Sequence, residues 1–232
     1  MKRSMGRMLV GLVLLLMAPG LMAQQSPTWY TVEVIVFERT VGAQAPGEVW
    51  PPLDSVPAVD AATPLLPPFR GSLAQVPFRL LPEGELRLAE AARGLGASPA
   101  YNVLRHLAWR QPGLDAEEAV AVRLAPRGGE ALLADRLLRH EAGLATGEAD
   151  VEGVLRLVLS RFLHIEADLL YYRPQPRPQA AVFEQDEEEL TPSLAAFRMI
   201  ESRRMRSGEI HYLDHPLFGV IVSVQRYTPP RS

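Results

Sequence analysis

The sequence predicts a single α+β domain: a mostly antiparallel sheet of five to six strands, about two helices, and long proline-rich and acidic loops. Three observations carry this. Strand-like runs follow one another instead of alternating strictly with helical ones, which disfavours a doubly wound parallel sheet. Within residues 155–169, Leu155, Leu157, Leu159, Leu163, Ile165, Ala167 and Leu169 repeat at a period of two, with Arg161 as the intruder. Two stretches, at 46–82 and 173–192, have the composition of long connections. The 232 residues are 47% hydrophobic and 22% charged, the balance of an ordinary globular chain, which excludes collagen, coiled coil, full disorder and a polytopic membrane protein.

Residues 28–38 (TWYTVEVIVFE) are β-branched and apolar on both parities, the pattern of a central strand. Residues 46–82 hold 9 of the 21 prolines, so no regular ladder or helix is expected there. Residues 83–95 (EGELRLAEAARGL) are good helix formers ending at Gly94 or Gly96. Residues 101–110 (YNVLRHLAWR) alternate as a strand, although Arg105 breaks the apolar face, and residues 119–124 (AVAVRL) give another. Residues 130–142 (EALLADRLLRHEA) read as an amphipathic helix. The run at 155–169 is too long for one ordinary strand, so a bend or bulge is expected near Ser160 and Arg161. Residues 173–192 combine an RPQPRP run with five acids, a solvated and mobile loop by composition. Residues 195–205 and 217–227 complete the strands, joined through RSGEIHYLDHP.

The first seven residues carry Lys2, Arg3 and Arg7, and an apolar run from Met8 to Met17 ends at Pro19 and Gly20. That is the layout of a secretory signal peptide, with 1–23 removed and 24–232 as the mature domain. The competing reading, an uncleaved anchor, needs about 20 apolar residues, and Pro19 interrupts the run before that. The expected address is a bacterial periplasm, with no stable membrane anchor after cleavage. Without the first 23 residues the chain has no lysine, and 21 arginines face 27 acids, a net charge of −6. That balance argues against nucleic acid as a partner.

The chain has no cysteine, which removes disulfides, thiolate metal sites and cysteine nucleophiles. It has no GxSxG, GxxxxGK[ST] or HExxH, and without a mature lysine neither an SxxK serine nor a Schiff base operates. Nothing calls for a cofactor. The densest polar cluster runs from Arg203 to Pro216. Arg203, Arg204 and Arg206 supply planar forks for carboxylates or phosphates, and Tyr212, His211 and His215 stand beside them as ligand contacts. The alternative is that Asp214, His211 and His215 hydrogen-bond within a turn and that Asp214 pairs with an arginine. A divalent metal would need a helical turn over 209–215. In an extended segment His211 and His215 sit about 13 Å apart, and Pro216 disfavours the helix. No metal is therefore assigned. His164, Glu166 and Asp168 share one strand face, and His106 and Arg110 share another with Asn102. They form a secondary polar surface, or only the wet side of a sheet.

Several of these segments resemble the CsiV-like peptidoglycan-binding proteins, periplasmic proteins of Gram-negative bacteria concerned with cell-shape integrity. The resemblance rests on WYTVEVIVFER at 29–39, Trp50-Pro51, YNVLRHLAWRQP at 101–112, Glu152-Gly153, RFLHIEADL at 161–169, and above all SRRMRSGEIHYLDHPLFGV at 202–220. It implies a non-enzymatic protein that binds the wall polymer and supports its assembly, in partnership with a lipoprotein activator of a penicillin-binding synthase. It assigns no residue a role. Arginine forks beside aromatic rings suit peptidoglycan, which offers carboxylates next to apolar sugar faces. Two other readings stand beside this one: an envelope adaptor working through its loops without touching the wall, and a metal-dependent wall hydrolase built on His164, Glu166, His211 and His215.

Overall fold

The computed structural model describes residues 27–40, 53, 55–68, 76–127, 148–175 and 193–229. The expected signal peptide, the expected helix at 130–142 and the acidic loop beyond residue 175 lie outside them. In chain order the elements are β1 (Trp29–Arg39), β2 (Thr63–Pro64), β3 (Arg79–Leu80), a 3-10 turn (Glu83–Glu85), α1 (Ala89–Gly96), β4 (Tyr101–Pro112), β5 (Ala121–Leu124), β6 (Asp150–Leu159), β7 (Leu163–Gln175), β8 (Ser193–Met205), β9 (Ile210–Asp214) and β10 (Phe218–Tyr227).

These strands make two five-stranded sheets, β3-β4-β1-β10-β9 and β2-β5-β6-β7-β8. Neighbours pair antiparallel except β2 with β5. The sheets pack face to face. Tyr30, Val32, Val34 and Val36 of β1 and Phe218, Val220, Val222 and Val224 of β10 meet Leu155, Leu157, Ile165, Ala167, Leu169 and Tyr171 in one buried cluster. That layer forces the period of two along every long strand. The opposite face of β1 is buried as well, because Ile35 and Phe37 pack under Leu88, Ala92 and Leu95 around α1. This double burial explains why β1 is apolar on both parities and sits at the centre of its sheet.

The chain is thus mostly β, and the expected α+β architecture needs correcting. Among the described residues there is one α-helix, the second expected one lying outside them, and ten strands, two of them only two residues long, replace the expected five or six. The 83–95 segment becomes a 3-10 turn followed by α1, because Leu86 adopts an extended conformation (φ −76°, ψ 119°) between them. The run at 155–169 is a hairpin and not one bent strand. Residues 160–162 form its turn, and Leu159 faces Leu163. A three-residue turn returns the chain on the same parity, so apolar spacing continues through a full reversal. β9 forms inside the connection that was expected merely to join the last two strands; of its five residues only Leu213 is buried.

Two buried polar groups tie the layers together. Arg105, which interrupted the apolar face of β4, reaches Asp150 of the other sheet at 2.5 Å, with both side chains about nine-tenths buried. Asp150 also accepts the backbone N–H of Arg127 at 2.7 Å and of Val151 at 2.8 Å. Glu33, on β1, accepts the N–H groups of Arg87 (3.0 Å) and Leu88 (2.8 Å) at the start of α1 and lies 2.8 Å from Nε2 of His106. His106, expected on a polar surface, is therefore part of the helix anchorage. Removing one partner of a buried ion pair strands the other charge, so Asp150→Ala is expected to cost about 3–5 kcal/mol in urea unfolding. The double variant Arg105→Met/Asp150→Leu should recover much of that loss.

Candidate functional site

The arginine cluster lies where the chain leaves one sheet for the other. β8 ends at Met205, a tight turn follows, and β9 begins in the opposite sheet at Ile210. Gly208 supplies the positive φ of 93° that the turn requires. The corner is fastened to the end of β10 by Gly208 N–H to the Val224 carbonyl (2.9 Å) and by Arg226 N–H to Ser207 Oγ (2.8 Å). Glu209 closes it from within: its Oε2 accepts the N–H of Arg206 at 2.9 Å and lies 2.9 Å from Nε2 of His211. The contact with His211, followed by that N–H, holds the Glu209 carboxyl below its ordinary range.

An open cleft of about 240 Å³ forms here, lined by Phe162, Arg204, Met205, Arg206 and Glu209. Phe162 comes from the β6–β7 turn and is the feature that sequence reasoning missed. The Arg204 guanidinium stands 4.9 Å from its ring centroid and that of Arg161 5.7 Å. Among the described residues Arg204 forms no ion pair, and Arg206 has only a long contact to Glu209 (3.9 Å) while its side chain is 77% exposed. Arg203 projects from the opposite side of β8, beside Glu201 at 3.5 Å. The three arginines therefore do not converge: Arg204 and Arg206 share the cleft, and Arg203 flanks it.

The other sequence candidates are distributed elsewhere. Tyr212 lies on the outer face of the first sheet, where its hydroxyl meets Arg39 and Asp214, each at 2.7 Å. Asp214 thus pairs with an arginine, one that lies 175 positions away in the chain. β9 is extended, so the helical arrangement that could bring His211, Asp214 and His215 onto one metal ion does not form. His215 follows β9, sets its ring 4.7 Å from that of Phe218 at a tilt of 37°, and accepts the Leu217 N–H at Nδ1 (3.2 Å). On the outer face of the second sheet Glu166 pairs with Arg156 (3.1 Å), and Asp168 is held in two-point contact by Arg198 (2.7 Å for both bonds). His164 is the cross-strand neighbour of Arg204, so this polar face borders the cleft. Arg110 reaches Glu85 at 2.7 Å and lies 4.1 Å over the ring of Tyr227, on the first sheet.

Two cationic forks and an aromatic ring on a β-sandwich have the chemistry that suits a ligand both anionic and partly apolar. The chain belongs to the CsiV family: the family described as "Peptidoglycan-binding protein, CsiV" matches residues 8–227. Peptidoglycan is accordingly the ligand its family is described by. No curated protein and no solved structure shows significant similarity to it.

Burial holds the imidazole of His215 below its ordinary 6.5; the Arg39 charge acts in the same direction and Asp214 opposes it. The folded state then binds this proton less readily than the unfolded one, so the stability it contributes is complete above about 6.5 and lost as pH falls below that. The melting temperature should drop less between about pH 7.5 and 5.5 in His215→Gln than in the wild type. Equal drops, followed by circular dichroism, would show that His215 does not carry the effect.

Proposed function

We propose that this protein is exported to the periplasm through its N-terminal signal peptide and there binds peptidoglycan without catalysis, supporting wall assembly and cell shape. The observation that carries the reading is the cleft at the β8–β9 corner. Guanidinium groups of Arg204 and Arg206 stand there beside the Phe162 ring with little internal neutralisation. Stem-peptide carboxylates match the guanidinium forks, and the apolar parts of the polymer match the ring. Arg203, His164 and His211 border this surface from β8, β7 and β9. By the family resemblance, binding would be relayed to synthesis by a lipoprotein activator of a penicillin-binding synthase.

A charge-assisted hydrogen bond contributes about 1.5–3 kcal/mol, so each arginine is expected to account for roughly a tenfold or larger share of affinity. The test is co-sedimentation of the mature protein with purified sacculi. Arg204→Ala/Arg206→Ala should lose most of the pelleted protein, Phe162→Ala an intermediate part, and Arg203→Ala the least. Undiminished pelleting of a folded Arg203→Ala/Arg204→Ala/Arg206→Ala triple variant would refute the site.

A further inference from the structure

Tyr212 belongs to a second surface, on the face of the first sheet that points away from the core. Its ring lies over Gly219: a Cβ at position 219 would come within 2.5 Å of the ring's Cε2 and hydroxyl oxygen, and 2.9 Å from Cζ of Phe37. Glycine is needed there because the tyrosine lies flat against the sheet. The planes of Tyr212 and Phe37 differ by only 13° with centroids 6.1 Å apart, and Tyr101 sets its edge against Phe37 at 5.4 Å. The aromatic layer that begins beneath α1 thus continues sideways beyond the helix. Phe37 is covered, whereas Tyr212 is 39% and Tyr101 37% exposed.

The rim of this layer is polar and fixed. Nη2 of Arg39 donates to the Tyr212 hydroxyl and to Oδ1 of Asp214, both at 2.7 Å, and the Tyr212 hydroxyl donates to the same carboxylate oxygen at 2.7 Å. Among the described residues these bonds use one nitrogen of Arg39 and one oxygen of Asp214, and the Asp214 side chain is 60% exposed. A guanidinium has five N–H donors and a carboxylate about four acceptor sites, so the pair has capacity beyond these bonds. Burial, then the bond to Asp214, pushes the phenol up to about 12, so it stays neutral at physiological pH. Arg39 and Asp214 also cancel each other's charge. In this the surface is the opposite of the cleft, whose guanidiniums are weakly neutralised.

We infer that this surface is a sugar platform: the exposed face of Tyr212 stacks on the apolar face of a pyranose ring in the glycan backbone, while Arg39 and Asp214 hydrogen-bond the ring's polar substituents. The inference rests on the peptidoglycan reading above and assigns the glycan, as distinct from the peptide stem, to a site of its own. A neutral, flat, pre-ordered aromatic with a donor and an acceptor at its edge fits an uncharged sugar and offers no net attraction to a carboxylate. Glu209 of the cleft and Tyr212 are three residues apart along the chain, roughly 10 Å. One polymer strand passing the β9 edge therefore meets both surfaces.

The probe is glycan strands freed of peptide by amidase digestion of sacculi, with the lactyl carboxylates that the digestion exposes capped as amides, measured for binding beside intact sacculi. The wild type should bind the stripped strands. Tyr212→Ala should weaken that binding at least tenfold, Tyr212→Phe only a few-fold, and Gly219→Ala, which keeps the tyrosine but displaces its ring, by an intermediate factor. Arg204→Ala/Arg206→Ala should leave stripped-strand binding unchanged while lowering sacculus binding to the part the platform alone supports. Asp214→Asn, which leaves the ring in place, tests the rim independently of any folding defect in the ring variants and should weaken binding several-fold. Wild-type protein that binds sacculi but not stripped strands overturns the platform and leaves polymer binding intact. Failure to bind either overturns both readings. Equal binding by folded Tyr212→Ala, or equal retention of a neutral α-glucan by the wild type, also overturns the platform.

Discussion

The structure depends on a single apolar layer closed between two sheets. Val32, Val34, Val220, Val222, Leu155, Ile165 and Leu169 belong to it and are essentially inaccessible to solvent. Such a layer excludes uncompensated charge, so every polar group near it must be paired or pushed to the margin. Arg105 is paired with Asp150 between the sheets, and Glu38 takes the hydroxyl of Tyr171 at 2.6 Å. The arginines of the β8–β9 connection follow the other route. Because the chain must cross from the second sheet to the first at that point, its backbone leaves the layer, and the side chains of Arg204 and Arg206 project outside it.

The ion pairs of this corner are looser than those of several arginines on the sheet faces. Arg39, Arg110, Arg156 and Arg198 each have a carboxylate within 3.1 Å. Arg203 and Arg206 have theirs at 3.5 and 3.9 Å, while the described contacts of Arg161 and Arg204 are with the ring of Phe162. Among the described residues weakly paired guanidinium also occurs on α1, where Arg93 stands 3.6 Å from Glu90; at the corner two such groups line one cleft. Charges beyond about 8–10 Å are screened at physiological salt. An anionic polymer at this corner therefore responds to the local arginines far more than to the overall negative charge.

Much of the fold was legible because burial leaves a period in the sequence. β1, β4, β5, β8 and β10 follow from β-branched or alternating runs, and α1 from its helix formers and terminal glycine. What the pattern could not register was direction. Leu159 and Leu163 keep the same parity across a three-residue turn, so a hairpin reads as one long strand. β9 was hidden for a different reason: an edge strand with one buried residue leaves almost no apolar trace. Site residues were legible by type and not by grouping. The arginine run was visible, but alternation along β8 separates Arg203 from Arg204. Phe162 and Arg39, which complete the two surfaces, are far from the run in sequence, and only strand pairing brings them near. The one hint was Gly219 between apolar neighbours, a position where something must approach the backbone closely.

Rigidity of the sandwich bears on the proposed division of labour between the two surfaces. Both are built at strand ends or on strand faces, and each is fixed by bonds to a distant part of the chain: Gly208 and Ser207 to β10, and Tyr212 to Arg39 of β1. A side chain already held in place, as that of Tyr212 is, loses little freedom when a ligand arrives, and a fixed corner backbone limits what the arginines must give up. A repeating polymer also presents the same chemistry many times, and two weak contacts on one strand reinforce each other because the second forms at high effective concentration. Adjacent sites of different chemistry, one for acidic stems and one for neutral sugars, would then favour a polymer that alternates the two over a ligand that offers only one.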